Sequence, residues 1–204
     1  MLQHSPSNLA EVAARESRLE QALVGRTVLI LPGWHGSGLD HWQTLWERKY
    51  SSLKRVEQHS WTEPLPYQWL DRISEMVREA ALPIFMVAHS LACIAVSRWA
   101  NAEPGLARLI EAALLVTPAD VSDPARCPEV LRRFAPIPLS RLPFASSLIG
   151  SLNDPYMSAA SAERLAHVWG SDFINAGYVG HINSASGHGS WPEGEDYLAD
   201  LLRR

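Results

Sequence analysis

Hydrophobic and polar positions along this chain fall into two alternating kinds of segment. Short apolar runs without a polar face occur at residues 27–31, 83–88, 109–117 and 146–152. Runs of that kind, with β-branched residues and turn-forming boundaries, predict strands covered on both sides. A shorter, more polar run at 55–59 fits a sheet edge, and a further run at 173–178 supplies a sixth strand. Between them lie stretches with helical spacing, at 39–46, 67–80, 90–101, 158–169 and 193–202. Strands alternating with helices imply a parallel sheet with helices on both faces. Right-handed crossovers then bring the C-terminal ends of the strands, and with them Trp34, Ser90 and Thr117, to one rim, where open α/β sheets bind their ligands.

Two segments stand apart from this rhythm. Residues 1–25 carry Ser5-Pro6-Ser7-Asn8 as a helix start, an apolar stripe of Leu9, Val12, Ala13, Leu19, Ala22 and Leu23, and Gly25 as a stop. They predict an amphipathic N-terminal helical extension lying on a single domain formed by residues 26–204. Residues 118–144 are rich in proline and arginine, with one helical patch at 129–134, and are expected to be a flexible or lid-like cover over the rim.

The run ending in Val87-Ala88-His89-Ser90-Leu91-Ala92 is where chemistry first enters. A serine between a buried strand and an apolar helix has the layout of a nucleophile elbow, whose flanking positions must be small, here Ala88 and Ala92. The same pattern also suits a serine that merely caps a helix. Downstream residues separate the two. Asp154 follows the fifth strand and His181 follows the sixth, so serine, acid and histidine succeed one another along the chain. A serine hydroxyl needs a base, and the base needs an orienting carboxylate; that order of the three is the one found in α/β-hydrolases. Asp120 also follows a strand but lies farther from its end, and His188 sits between glycines, so Asp154 and His181 are preferred. The glycine-rich turn Gly33-Trp34-His35-Gly36 after the first strand matches neither dinucleotide nor P-loop patterns and offers the Trp34 N–H, beside that of Leu91, as an oxyanion donor. Trp34, Trp61 and Trp191, in rim loops, are expected to form an apolar substrate wall, with His35 also assigned to substrate binding.

Composition narrows the partners. Among 204 residues the net charge is -4, with 47% hydrophobic and 20% charged, which provides no basic field for nucleic acid or anionic membranes. No run approaches the roughly 20 apolar residues of a membrane span. Cys93 and Cys127 are distant in sequence, and no ligand spacing suggests a metal, so neither a disulfide framework, a metal nor a cofactor is expected. A cytoplasmic setting and a small acyl substrate follow as expectations; nothing in the sequence indicates a protein partner, although an interaction module on such a fold is the alternative class.

L-P-G-W-H-G-S, V-A-H-S-L-A, N-D-P-Y and G-H-I-N-S-A-S-G-H-G-S-W-P together resemble the YdeN-like, retinoblastoma-binding serine hydrolase family, from about residue 27 to the end. The resemblance implies a minimal α/β-hydrolase with a mostly parallel six-stranded sheet in the order 2-1-3-4-5-6. It also implies that Ser90, Asp154 and His181 occupy the family's triad positions, and the chemistry of those three residues gives the expectation of esterase-like cleavage. Ala88 departs from the glycine usual there.

Overall fold

The structure, a computed structural model, describes the backbone of residues 6–203 and the side chains of residues 14–203. Ser5 and the side chains of the first helical turns, including Leu9, Val12 and Ala13, lie outside the described residues.

Six parallel strands form one sheet in the order β2-β1-β3-β4-β5-β6. They are β1 (Thr27–Leu31), β2 (Leu53–Arg55), β3 (Ile84–His89), β4 (Ile110–Val116), β5 (Ala145–Gly150) and β6 (Asp172–Asn175). The two-sided apolar runs have a direct cause. Val28, Ile30, Phe85 and Val87 face one layer, built on α1 (Pro6–Leu23), α2 (Trp42–Lys49) and α7 (Pro192–Leu201). Leu29, Leu31, Met86 and Ala88 face the other, built on α3 (Pro66–Glu79), α4 (Leu91–Ala102) and α6 (Ala159–Trp169), with the short α5 (Pro104–Ala107) beside them. Successive side chains on a strand point to opposite faces, so both parities must be apolar.

Register aligns the strand ends. Leu31 pairs with Ala88, His89 with Val116, and Val116 with Ile149, so the loops that follow β1, β3, β4 and β5 emerge along one edge. The chain runs from β1 outward to β2 and returns on the other side of β1 to β3, which opens a crevice between the ends of β1 and β3.

Three elements differ from the pattern read in the sequence. The edge strand is Leu53–Arg55 rather than 55–59, because pairing with Val28, Leu29 and Ile30 of β1 fixes it. Strand β6 stops at Asn175, whose side chain accepts the Gly177 N–H at 2.9 Å and turns the chain away. Residues 118–144 are fastened down rather than free. Ala119, Val121, Cys127, Leu131, Phe134 and Leu142 are buried, and Arg98 donates to the carbonyls of Phe134 (3.1 Å) and Pro136 (2.9 Å). The C-terminal part of α1 buries Leu19, Ala22 and Leu23 and is tied to α7 by Arg15 and Asp196 at 2.8 Å. Among the described residues no helix is long and apolar enough to cross a membrane.

Candidate active site

Strand β3 delivers Ser90 into a backbone conformation that L-residues seldom adopt, φ 58° and ψ -123°. Such a conformation costs about 1–3 kcal/mol and persists only where its surroundings hold it. Here the Ser90 N–H donates to the Val116 carbonyl at 2.9 Å, and its carbonyl accepts the Cys93 N–H at 3.1 Å. Gly33 lies against the elbow. A Cβ added there would meet Ser90 Cβ at 2.8 Å and the His89 carbonyl at 2.9 Å, so the approach of the β1 turn to the serine requires glycine.

His181 enters from the loop after β6. Its Nε2 lies 2.9 Å from Ser90 Oγ, and its Nδ1 lies 3.0 Å from each carboxylate oxygen of Asp154. All three side chains are buried. The carboxylate accepts at Nδ1, so the neutral ring carries its hydrogen there and presents a lone pair at Nε2 to the serine hydroxyl. Asp154 is held in turn by the Tyr156 N–H, which donates to Oδ1 at 2.8 Å. The backbone of His181 is pinned separately. His89 Nε2 donates to its carbonyl at 2.9 Å and Thr117 Oγ1 at 3.1 Å, just before Ile182 takes a positive φ of 44°. Burial, followed by the neighbouring His181 and His41, holds the pKa of His89 well below its ordinary value, so it donates as a neutral ring.

Ser90 and His181 open onto a cavity of about 350 Å³ in the crevice between β1 and β3, with Asp154 behind the histidine. Trp34, His35, Leu131 and Tyr156 contribute to its wall, as do Ser37 and Asn183. The Trp34 indole donates to the Thr62 carbonyl at 3.1 Å and packs against the His35 ring at 4.0 Å. Trp191 corrects an expectation. It is 5% exposed, lies 4.9 Å from Trp42 and stacks on Trp46 at 5.9 Å, and does not line the cavity. Its ring covers Gly194, one turn into α7, where a Cβ would come within 2.2 Å of it. Asp120 and His188 are elsewhere: the Asp120 carboxylate accepts the Ser122 N–H at 3.2 Å, and His188 Nδ1 is 3.1 Å from Ser186 Oγ. Among the described residues no group of three or more His, Cys, Asp or Glu side chains is arranged to hold a metal ion.

A model described as serine hydrolase matches residues 28–200. The chain belongs to the serine hydrolase family. A candidate YdeN-like hydrolase from Pectobacterium atrosepticum is 28% identical to this hydrolase, with a TM-score of 0.78, covering 95% of this chain and 97% of that one. The ydeN gene product of B. subtilis shares the fold at 19% identity and a TM-score of 0.68, over 88% of this chain and all of its own. Est1E from Butyrivibrio proteoclasticus, solved with ferulic acid bound, shares it at 10% identity and 0.64, over 87% of this chain and 88% of that one. No curated protein matches the sequence of this hydrolase.

Several residues of the site carried no signal in the sequence. Leu131 lies in the proline-rich stretch, and Thr117 is an ordinary strand-end residue until its hydroxyl meets the His181 carbonyl. His41 is 5% exposed, accepts the Gln43 N–H on its Nδ1 at 3.2 Å and forms part of the cavity wall.

Proposed function

We propose that this hydrolase cleaves esters of small acyl groups through a covalent acyl-enzyme on Ser90. The observation that carries the reading is the unbroken line from Asp154 through His181 Nδ1 and Nε2 to Ser90 Oγ, every link at 2.9 to 3.0 Å. In this reading His181 Nε2 takes the hydroxyl proton as Ser90 Oγ bonds to the ester carbonyl carbon, and then returns it to the departing alcohol oxygen. Asp154 keeps the ring in the required tautomer and stabilises the imidazolium that forms in between. Water, deprotonated by the same nitrogen, then attacks the acyl-enzyme, releases the carboxylic acid and restores the serine.

The oxyanion of each tetrahedral intermediate is assigned to the backbone N–H groups of Leu91 and Trp34. Leu91 is the first residue of α4, where no carbonyl one turn back is available to its N–H. In the β1 turn the His35 N–H is committed to the Trp61 carbonyl at 3.0 Å and the Gly36 N–H to the Gly33 carbonyl at 3.0 Å, which makes Trp34 the donor of that turn. Trp34 and His35, at the cavity mouth, are assigned to the substrate's apolar part. The modest cavity suits a short acyl or alcohol group rather than a peptide. The test is labelling by a fluorophosphonate and turnover of p-nitrophenyl esters. Both are expected in the native protein and absent from Ser90→Ala; a variant that labels and turns over as the native protein does would remove the nucleophile from this reading.

A further inference from the structure

Gln43, the second residue of α2, is completely buried, and its side-chain amide bonds at three points along the edge of the sheet that carries the site. Its Nε2 donates to the Leu31 carbonyl at 3.2 Å and to the Val87 carbonyl at 3.3 Å, while its Oε1 accepts the Ser37 hydroxyl at 2.7 Å. An amide has two N–H donors and an acceptor oxygen, so one side chain holds all three partners at once. Leu31 stands three residues before Trp34, and Val87 three residues before Ser90. The pairing of β1 with β3 ends at Leu31 and Ala88, where the amide joins the two strands. Ser37 is the far end of the turn that bears Trp34, in a left-handed conformation at φ 52°, and its carbonyl accepts the Thr44 hydroxyl at 2.6 Å. Gln43 therefore binds both ends of that turn and the strand of the elbow. A buried amide is costly unless its groups are paired, and here the pairing is entirely with segments that carry the site.

We propose that Gln43 is the positioning residue of the oxyanion site: by joining the β1 turn to the elbow strand, its amide fixes the separation between the Trp34 and Leu91 N–H groups. This rests on the reading of Ser90 as nucleophile and of those two N–H groups as the oxyanion donors. Gln43 itself is out of the substrate's reach, so it acts only through the backbone it holds. Two donors stabilise a developing oxyanion to the extent that both are already aimed at it, and a turn free to shift loses the contribution of Trp34 first.

The experiment compares p-nitrophenyl acetate with its thiono analogue, in which sulfur replaces the carbonyl oxygen. Sulfur is a weak acceptor, so the thiono ester draws little on the oxyanion donors. The oxo/thiono ratio of kcat/KM therefore reports those donors, and the folded fraction of a variant cancels from it. Gln43→Met keeps an unbranched side chain of similar length and removes all three bonds. Its kcat on the oxo ester is expected to fall by about 10- to 10²-fold with KM little changed, and its oxo/thiono ratio by about tenfold. Ser74→Ala is the control for a lost buried bond away from the site, since Ser74 Oγ accepts the Trp99 indole N–H at 2.9 Å in the opposite layer; it is expected to lower Tm and keep the native ratio. A ratio within about twofold of native in Gln43→Met, or an equal fall in Ser74→Ala, would make Gln43 a structural amide only and overturn the proposal. If Gln43→Met does not fold, Ser37→Ala takes its place: it removes only the bond to Oε1 from a half-buried position, and a fall of about threefold is expected, with a ratio equal to native overturning the proposal. For a variant too slow to turn over, inactivation by paraoxon and parathion, which differ likewise by P=O and P=S, gives the corresponding ratio. Failure of the parent reading is separately visible, as native turnover in Ser90→Ala or as an oxo/thiono ratio of the native protein no larger than that of hydrolysis by hydroxide.

Discussion

Gly33→Ala places one methyl group at the junction of the β1 turn and the elbow. The new Cβ would sit 2.8 Å from Ser90 Cβ and 2.9 Å from the His89 carbonyl, with the Leu91 N–H next at 3.4 Å. Ordinary contact begins near 3.4 Å, so about 0.6 Å of overlap must be relieved. The elbow cannot give way readily, because Ser90 is held by backbone bonds on both sides and by His181. The β1 turn therefore moves, and it carries the Trp34 N–H away from the oxyanion. Misplacement on this scale, or loss of one oxyanion donor, costs about 10²-fold in rate. Overpacking adds about 1–3 kcal/mol of destabilisation. Steady-state turnover of a p-nitrophenyl ester together with thermal unfolding reads both effects. The expected result is a fall of about 10²-fold in kcat with little change in KM, in a protein that still folds. Gly105→Ala is the control, since nothing lies within 4 Å of its Cβ and it sits in α5; there a gain of about 0.4–1 kcal/mol is expected. Native activity and stability in Gly33→Ala would refute the close approach on which the oxyanion assignment depends.

Two further outcomes follow from buried groups. The pKa of His41 drops from 6.5 to about 3 on folding and that of His89 moves the same way, so between those values the unfolded chain binds more protons. Stability is therefore full above about pH 6.5 and is lost as the pH falls toward 3, at about 1.4 kcal/mol per pH unit through His41, with His89 acting in the same direction. Urea unfolding at pH 7.5 and pH 5 should show the loss, and His41→Asn should reduce it by about 2 kcal/mol; an unchanged pH dependence in that variant would contradict the buried neutral ring. Trp191→Ala opens the stack on Trp42 and Trp46 and is expected to cost about 3–5 kcal/mol, lowering Tm by about 10 °C, whereas His35→Ala, exposed at the cavity mouth, should leave Tm almost unchanged. Equal melting of the two variants would put Trp191 back at the surface.

How far a feature could be read in advance depended on whether its cause is local. The runs at 27–31 and 83–88 announce buried strands because both parities of side chain must be apolar, and the structure places Val28 and Leu29 in opposite layers. The edge strand was two residues off because Leu53-Lys54-Arg55 has no periodic signal; Arg55 instead binds Glu47 at 2.9 Å and the Gly36 carbonyl at 2.6 Å. Residues 118–144 resembled a free cover because their apolar anchors are isolated among prolines. Leu142, for example, is fixed by its N–H to the Trp169 carbonyl at 2.9 Å, a partner 27 residues along the chain.

By itself the sequence determined the alternation of strands and helices, the rim on which their loops gather, and three chemically complementary residues in a workable order along the chain. Periodicity and residue type are properties of neighbouring positions, so no coordinates were needed for them. Tertiary structure alone decided that Trp191 is core rather than wall, that Thr117 and His89 hold the His181 carbonyl, and that Gln43 joins the ends of β1 and β3. The physical reason is burial. Whether a loop side chain meets water, a ring or a carbonyl is settled by segments up to about 150 residues away in the chain, as when Trp191 closes over Trp42, and no local pattern encodes that meeting.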